Sequence, residues 1–240
     1  MHVITDALAS CPGGDLLDVG CGPGMMVREL LDSRPGDFCI TAMDYSAAMV
    51  DECAHKTHGV RNVRTLLGDA EKMPFPDNSF DTVLAMGVLE YTELPVALQE
   101  IRRVLRPDGQ LIATMLNPAS PYRLVEWHIY WPLLRLLGRI ERRLRVPPER
   151  QHDAADTGLH AYREPDFRQA LASAGLNPID VAFYDVTLLL PPIDRFVRRL
   201  ARKYWTENPD HTVSRSWRRR LGTAYMTVAS SWPAIALKPL

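Results

Sequence analysis

The stretch Asp15-Leu16-Leu17-Asp18-Val19-Gly20-Cys21-Gly22-Pro23-Gly24-Met25 decides how this 240-residue chain folds. Residues 15–19 are a short apolar run that stops at a glycine cluster, the pattern of a buried strand entering a tight turn. A helix over about Met25–Ser33 follows. Glycines let the backbone turn sharply and lie against a ligand, and the N–H groups of the helix start face anionic groups. A strand–helix turn with no ligand uses the same residues, so a glycine triplet alone leaves both readings open. The spacing excludes two alternatives. The third glycine of G-x-G-x-x-G would fall on Met25, and no Gly-Lys-Ser/Thr follows as in a phosphate-binding Walker loop.

Outward from this turn, the rhythm is strand, helix, strand. Cys39–Met43 reads as a strand ending at Asp44, and Ser46–His55 as a helix with Ser46 at its N-cap. Val63–Leu67 and Phe80–Met86 read as further strands, separated by a loop, Gly68–Ser79, in which Pro74 and Pro76 exclude a helix. Leu94–Leu105 is an amphipathic helix stopped by Pro107-Asp108-Gly109, and Gln110–Leu116 is a fifth strand. Glu164–Ala174 resumes as a helix closed by Gly175, with strands at Ile179–Tyr184 and Ala224–Ser230. This alternation predicts an α/β fold with right-handed βαβ units and a doubly wound parallel sheet. Residues 117–157 and 187–222 break the pattern and read as insertions after the fifth and sixth strands of a single domain, 1–240.

Composition agrees with one globular domain: 46% hydrophobic and 24% charged residues. The start lacks the basic and apolar segments of a signal peptide, and no run of about 18 apolar residues exists to span a membrane. The four cysteines (Cys11, Cys21, Cys39, Cys53) lack C-x-x-C spacing and a nearby His pair, so no metal site is expected and a cytoplasmic protein with reduced thiols is. The net charge of −1 conceals an asymmetry, since residues 1–116 hold nine Lys and Arg against seventeen Asp and Glu, while residues 117–222 hold eighteen against twelve.

Two acids follow the glycines at strand ends. Asp44 lies roughly 20 residues past the turn, where a carboxylate reaches ribose hydroxyls in doubly wound folds. Asp69, in Gly68-Asp69-Ala70, ends the third strand, from which a carboxylate can accept from an adenine amino group. Each acid alone also suits a solvated loop. Glycines, an acid and a second acid at three consecutive strand ends form a far rarer pattern.

In these features residues 15–116 resemble the class I S-adenosylmethionine-dependent methyltransferases. They are similar in particular to the group holding the quinone-biosynthesis C-methyltransferases and many small-molecule O- and N-methyltransferases. The resemblance rests on Leu16-Leu17-Asp18-Val19-Gly20-Cys21-Gly22-Pro23-Gly24, Met43-Asp44-Tyr45-Ser46, Gly68-Asp69-Ala70-Glu71-Lys72-Met73-Pro74-Phe75-Pro76-Asp77-Asn78-Ser79-Phe80-Asp81 and Val104-Leu105-Arg106-Pro107-Asp108-Gly109-Gln110-Leu111, in the family's order. It implies a Rossmann-like, seven-stranded sheet with its last strand antiparallel. It also implies a cofactor site with Asp18 in its first motif, and with Gly20, Gly22 and Gly24 at the cofactor's amino-acid part. Asp44 would hold the ribose, Met43 and Tyr45 would flank the adenine, Asp69 and the Ala70 N–H would bind the adenine edge, and Met86 and Gly87 would lie near the sulfonium. Many relatives carry His at the position of Tyr91; here a phenol stands there, which removes one candidate base.

The implied reaction needs methyl and nucleophile held in line away from water, and a base only when the nucleophile carries a weakly acidic proton. Candidate bases are Tyr91, His128, His152 and His160, with Glu90 suited equally to a helix cap. Ligands of open α/β sheets bind outside the strands' carboxyl ends, and both insertions leave from such ends, so together they are expected to cap an acceptor pocket. The first holds Trp127, Ile129, Tyr130, Trp131, Leu133, Leu134, Leu136 and Leu137 before a basic tail; the second mixes Phe196 and Trp205 with arginines. This composition favours a small, largely apolar acceptor such as a secondary metabolite, quinone-like ring or lipid. Peripheral membrane contact ranks second. Nucleic acid is not expected as a partner, because the chain is not basic overall. RNA or protein as methyl acceptor, and a cofactor-binding partner protein without transfer activity, remain as alternatives.

Overall fold

The structure, a computed structural model, describes Leu8, Cys11 and residues 13–144, 159–186 and 222–231. His152 and most of the second insertion lie outside the described residues. The chain divides into two compact units. One comprises Met1–Met115, Glu164–Ala182 and Tyr225–Leu240; the other comprises Leu116–Arg163 and Phe183–Ala224.

The first unit is built on the sheet. Its strands are β1 (Gly14–Val19), β2 (Phe38–Asp44), β3 (Val63–Leu67), β4 (Phe80–Ala85), β5 (Leu105–Leu116), β6 (Leu176–Val186) and β7 (Gly222–Ser231), in the order β3-β2-β1-β4-β5-β7-β6. β1 pairs parallel with β2 and β4, β2 with β3, and β4 with β5. The final strand runs the other way. The Ser231 hydroxyl, at the end of β7, donates to the Arg106 carbonyl at the start of β5. The sheet is therefore the Rossmann-like, seven-stranded one expected, with its last strand antiparallel.

Three of its helices are α1 (Met25–Ser33), α2 (Ala47–Lys56) and α3 (Leu94–Val104). The central strands carry continuous apolar runs, as sheets covered on both faces require, and Leu16, Leu17, Val83, Leu84, Leu111 and Ile112 are fully buried. α3 packs with its i, i+3, i+4, i+7 face, where Leu94, Ala97, Leu98 and Ile101 are buried.

Two local expectations change. Ser46 does stand at the N-cap of α2, but its side chain makes no capping bond. The turn expected at Pro107-Asp108-Gly109 lies within β5. Phe80 pairs with Leu105, yet Thr82 pairs with Gln110, so residues 106–109 bulge out, with Asp108 at φ 62. From the bulge, the Arg106 guanidinium donates to Asp15 and Asp81.

The second unit contains α4 (Pro121–Val125), a π-helical turn over Glu126–Tyr130, and α5 (Trp131–Arg143). Among the described residues the last helix, α6 (Glu164–Ser173), returns to the first unit, where Phe167 stacks edge-on against Tyr225 of β7. No helix among the described residues is long and apolar enough to cross a membrane.

Candidate functional site

The glycine turn leaves β1 with three positive φ values: 70 at Gly20, 52 at Gly22 and 79 at Gly24. The three positions are not alike. A Cβ on Gly20 would stand 2.7 Å from Val88, and one on Gly24 would stand 2.7 Å from the Cys53 sulfur of α2. A Cβ on Gly22 would meet nothing within 4 Å. Gly20 and Gly24 are therefore packed against protein, and Gly22 alone presents its bare backbone to open space.

The turn is fixed by β2. The N–H groups of Gly20 and Cys21 both donate to the Met43 carbonyl, at 2.8 and 3.0 Å. Asp44 closes the arrangement: Oδ2 accepts from the Gly22 N–H at 2.8 Å and Oδ1 from the Ser46 N–H at 2.8 Å. Asp44 thus binds the glycine turn to the start of α2.

Asp18 is buried at the end of β1 beneath this turn, and its Oδ2 has no hydrogen-bond partner. Burial, and then the charge of nearby Asp44, push its carboxyl up to about 7. Burial also raises the Cys21 thiol, with Asp18 adding to the effect, so this cysteine is inert rather than nucleophilic.

Asp69 is exposed, and its Oδ1 accepts from the Glu71 N–H, shaping the turn that buries Ala70. The loop behind it is held by two residues that sequence reading passes over. The Arg103 guanidinium donates to the carbonyls of Met73 and Phe75 and to the carboxylates of Glu100 and Asp77, while Glu100 accepts from the Met73 N–H. At the end of β4, Met86 is half-buried, and the Gly87 N–H donates to the buried Thr114 hydroxyl at 2.8 Å. Glu90 is buried in a 3₁₀ turn (Leu89–Tyr91) rather than capping a helix.

The structure therefore gathers Asp18, Gly20, Gly22, Gly24, Asp44, Tyr45, Asp69, Ala70 and Met86 at the carboxyl ends of four adjacent strands in one unit. Tyr91 follows β4 in the same unit and is exposed. His128 and His160 belong to the other unit, and both are exposed. The His128 ring donates from Nδ1 to its own helix, at the Leu124 carbonyl, 2.9 Å away. Among the described residues, no group of three His, Cys, Asp or Glu could hold a metal ion.

Comparison with known proteins agrees with this arrangement. Residues 17–113 match the methyltransferase domain family. The chain is 30% identical to the nocamycin O-methyltransferase of Saccharothrix syringae over 203 residues, 81% of this chain and 70% of that protein. It is 27% identical to the demethylmenaquinone methyltransferase of Staphylococcus haemolyticus over 182 residues, 75% of each. Some other relatives match over less than half of this chain, which spans only about a third to two fifths of their length. In fold it resembles an S-adenosylmethionine-dependent methyltransferase from Mesorhizobium loti, with a TM-score of 0.61 at 15% identity over 95% of this chain and 96% of that one. A glycine turn, two strand-end acids and a 3-2-1-4-5-7-6 sheet, together with these relatives, place the chain in the class I S-adenosylmethionine-dependent methyltransferases.

Proposed function

We propose that this methyltransferase acts on a small, largely apolar molecule, and that its donor lies across the carboxyl ends of β1–β4. The observation that carries the reading is a series of exposed side chains: Met25, Tyr45, Leu67 and Tyr91 are all exposed, one at or just beyond the end of each of these strands. Large apolar groups left open to water in one rim are what a ligand of mixed polarity covers.

The residues fit S-adenosylmethionine. The open backbone at Gly22 admits close approach, and the spare lone pairs of Asp44 suit two ribose hydroxyls. Tyr45 offers a ring face to adenine, Asp69 and the Ala70 N–H suit its edge, and Met86 and Gly87 adjoin the reacting end. Asp18, buried under the turn, is assigned to the donor site with it. When bound, the donor supplies a methyl group already activated by the sulfonium. The protein then has to align the acceptor and exclude water.

Of the candidate bases in the sheet unit, Glu90 is buried and Tyr91 is exposed, and we assign Tyr91 to the acceptor's surroundings. His128 and His160 stay with the second unit, whose two pieces begin at Leu116 and Phe183, near the ends of β5 and β6. That connectivity supports the reading of both insertions as the acceptor-binding part. An acceptor whose nucleophile is acidic, or is an amine, needs no base from this set. Both named small-molecule relatives support an acceptor of that size.

The test is calorimetric titration with S-adenosylmethionine, followed by transfer of labelled methyl to quinone, phenol and fatty-acid panels, with RNA and protein controls. Donor binding with label entering an apolar small molecule is expected. Label entering RNA or protein alone would overturn the acceptor assignment.

A further inference from the structure

We propose that α5 is an interfacial helix that docks this enzyme on anionic lipid bilayers. On α5 and the residue after it, Leu133, Leu136, Leu137, Ile140 and Leu144 recur at i, i+3, i+4, i+7 and i+11, which puts them on one face. In α3 the same spacing marks a face wholly buried against the sheet. Here all five side chains are between 38% and 72% exposed. Ile129, one turn earlier, continues the stripe and is also exposed.

The packed side of α5 is elsewhere: Gly138 is buried, while Trp131, Leu134 and Glu141 are half-buried. The leucine stripe is therefore additional to the face the helix uses for its own packing.

The flank of the stripe names its occupant. Arg135, Arg139 and Arg143 repeat every four residues along one edge, and all three are exposed. His128 lies on the same side about two turns earlier. The only acid in α5 is Glu141, on the packed side. A stripe of Leu and Ile beside a row of Arg suits the boundary between acyl chains and anionic headgroups, with the guanidinium groups rising to the phosphates. A protein partner of matching shape would need acids opposite these arginines. A bilayer containing anionic lipid offers them at any register. The docking does not depend on which acceptor is methylated, although it would bring an apolar acceptor within reach.

The experiment is co-sedimentation of the full chain with vesicles of phosphatidylcholine alone and of phosphatidylcholine mixed with phosphatidylglycerol, at low and high salt. The wild type is expected to sediment with the mixed vesicles, to bind phosphatidylcholine at least about tenfold less, and to be released by salt. Leu136→Glu with Ile140→Glu should abolish sedimentation while leaving donor affinity in solution unchanged. Arg135→Gln with Arg139→Gln should remove the preference for phosphatidylglycerol. Three results would overturn the proposal. The first is no sedimentation with either vesicle. The second is an oligomer in analytical ultracentrifugation that the glutamate variant dissolves, which assigns the stripe to a second copy of the chain. The third is a large drop in melting temperature for the glutamate variant, which assigns it to the chain's own packing.

Discussion

The Gly22 amide and the Asp44 carboxylate lie 2.8 Å apart, joining the turn after β1 to the end of β2. A residue assigned to ribose binding is thus also a strut for the glycine turn. Asp44→Ala should lose both roles. Two or more charge-assisted hydrogen bonds to the donor at about 1.5 kcal/mol each correspond to a loss of at least about a hundredfold in affinity, measured by calorimetry. Asp44→Asn keeps one acceptor oxygen and should lose less. Equal affinity in wild type and Asp44→Ala would contradict the assignment.

Gly22 and Gly24 separate binding from folding. Gly24→Ala drives a Cβ to 2.7 Å from the Cys53 sulfur at a φ of 79, so it should cost about 2 kcal/mol or more in urea unfolding. Gly22→Ala meets no protein atom and should cost about 1 kcal/mol, yet it should reduce donor affinity more than its stability loss explains. Adding Cys53→Ala to Gly24→Ala should recover part of the loss. Matching stability and affinity losses for the two variants would remove the distinction.

Arg103 should matter for the loop that carries Asp69. Its guanidinium reaches two loop carbonyls and two carboxylates, but it is partly exposed, which weakens the ion-pair share. Arg103→Ala is expected to lower stability by about 2 kcal/mol and to weaken donor binding. Arg103→Lys should rescue little, because an ammonium cannot reproduce the planar fork. Full rescue by lysine would show that charge alone acts there.

Asp18 predicts a pH dependence. Its carboxyl titrates at about 7 when folded, against 3.8 as the ordinary value. Between those values the folded chain holds a proton that the unfolded chain has released. Stability from this group is therefore full below about pH 4 and falls as pH rises towards 7, by at most about 1.4 kcal/mol per unit. Asp18→Asn cannot ionise, so its stability should fall less over this range. Parallel melting-temperature profiles for the two proteins would refute the shift.

Tyr91→Phe tests the candidate base. An exposed phenol that lines the acceptor's surroundings should lose less than about tenfold in kcat on removal of its hydroxyl. A loss of about a hundredfold or more, with a changed pH profile, would make Tyr91 a general base.

The cofactor half of the fold was legible because its determinants are local. The boundaries of α1 and β3 are those the apolar periodicity gives, and strand-end acids announce themselves by position. What escaped was non-local. Arg103 and Glu100 look like ordinary charges on a helix surface, and only folding brings them under the Gly68–Ser79 loop. The proline–aspartate–glycine turn read as a stop between elements, whereas pairing with β4 absorbs it as a bulge. The candidate histidines could be named but not placed. Single residues in an insertion have no periodicity to position them, and the two described ones, His128 and His160, belong to a different unit from the glycine turn.

The bulge at Arg106 has a wider consequence. From it one side chain joins Asp15 and Asp81, and its carbonyl receives Ser231, so residues from β1, β4, β5 and β7 converge at the amino-terminal rim of the sheet. Rigidity is invested at the rim opposite the glycine turn. The carboxyl-terminal rim, held at Gly24 and Asp44, can carry new loops and inserted segments at its remaining strand ends without disturbing that cluster. Such a division gives a lineage room to exchange acceptors while inheriting its methyl donor intact.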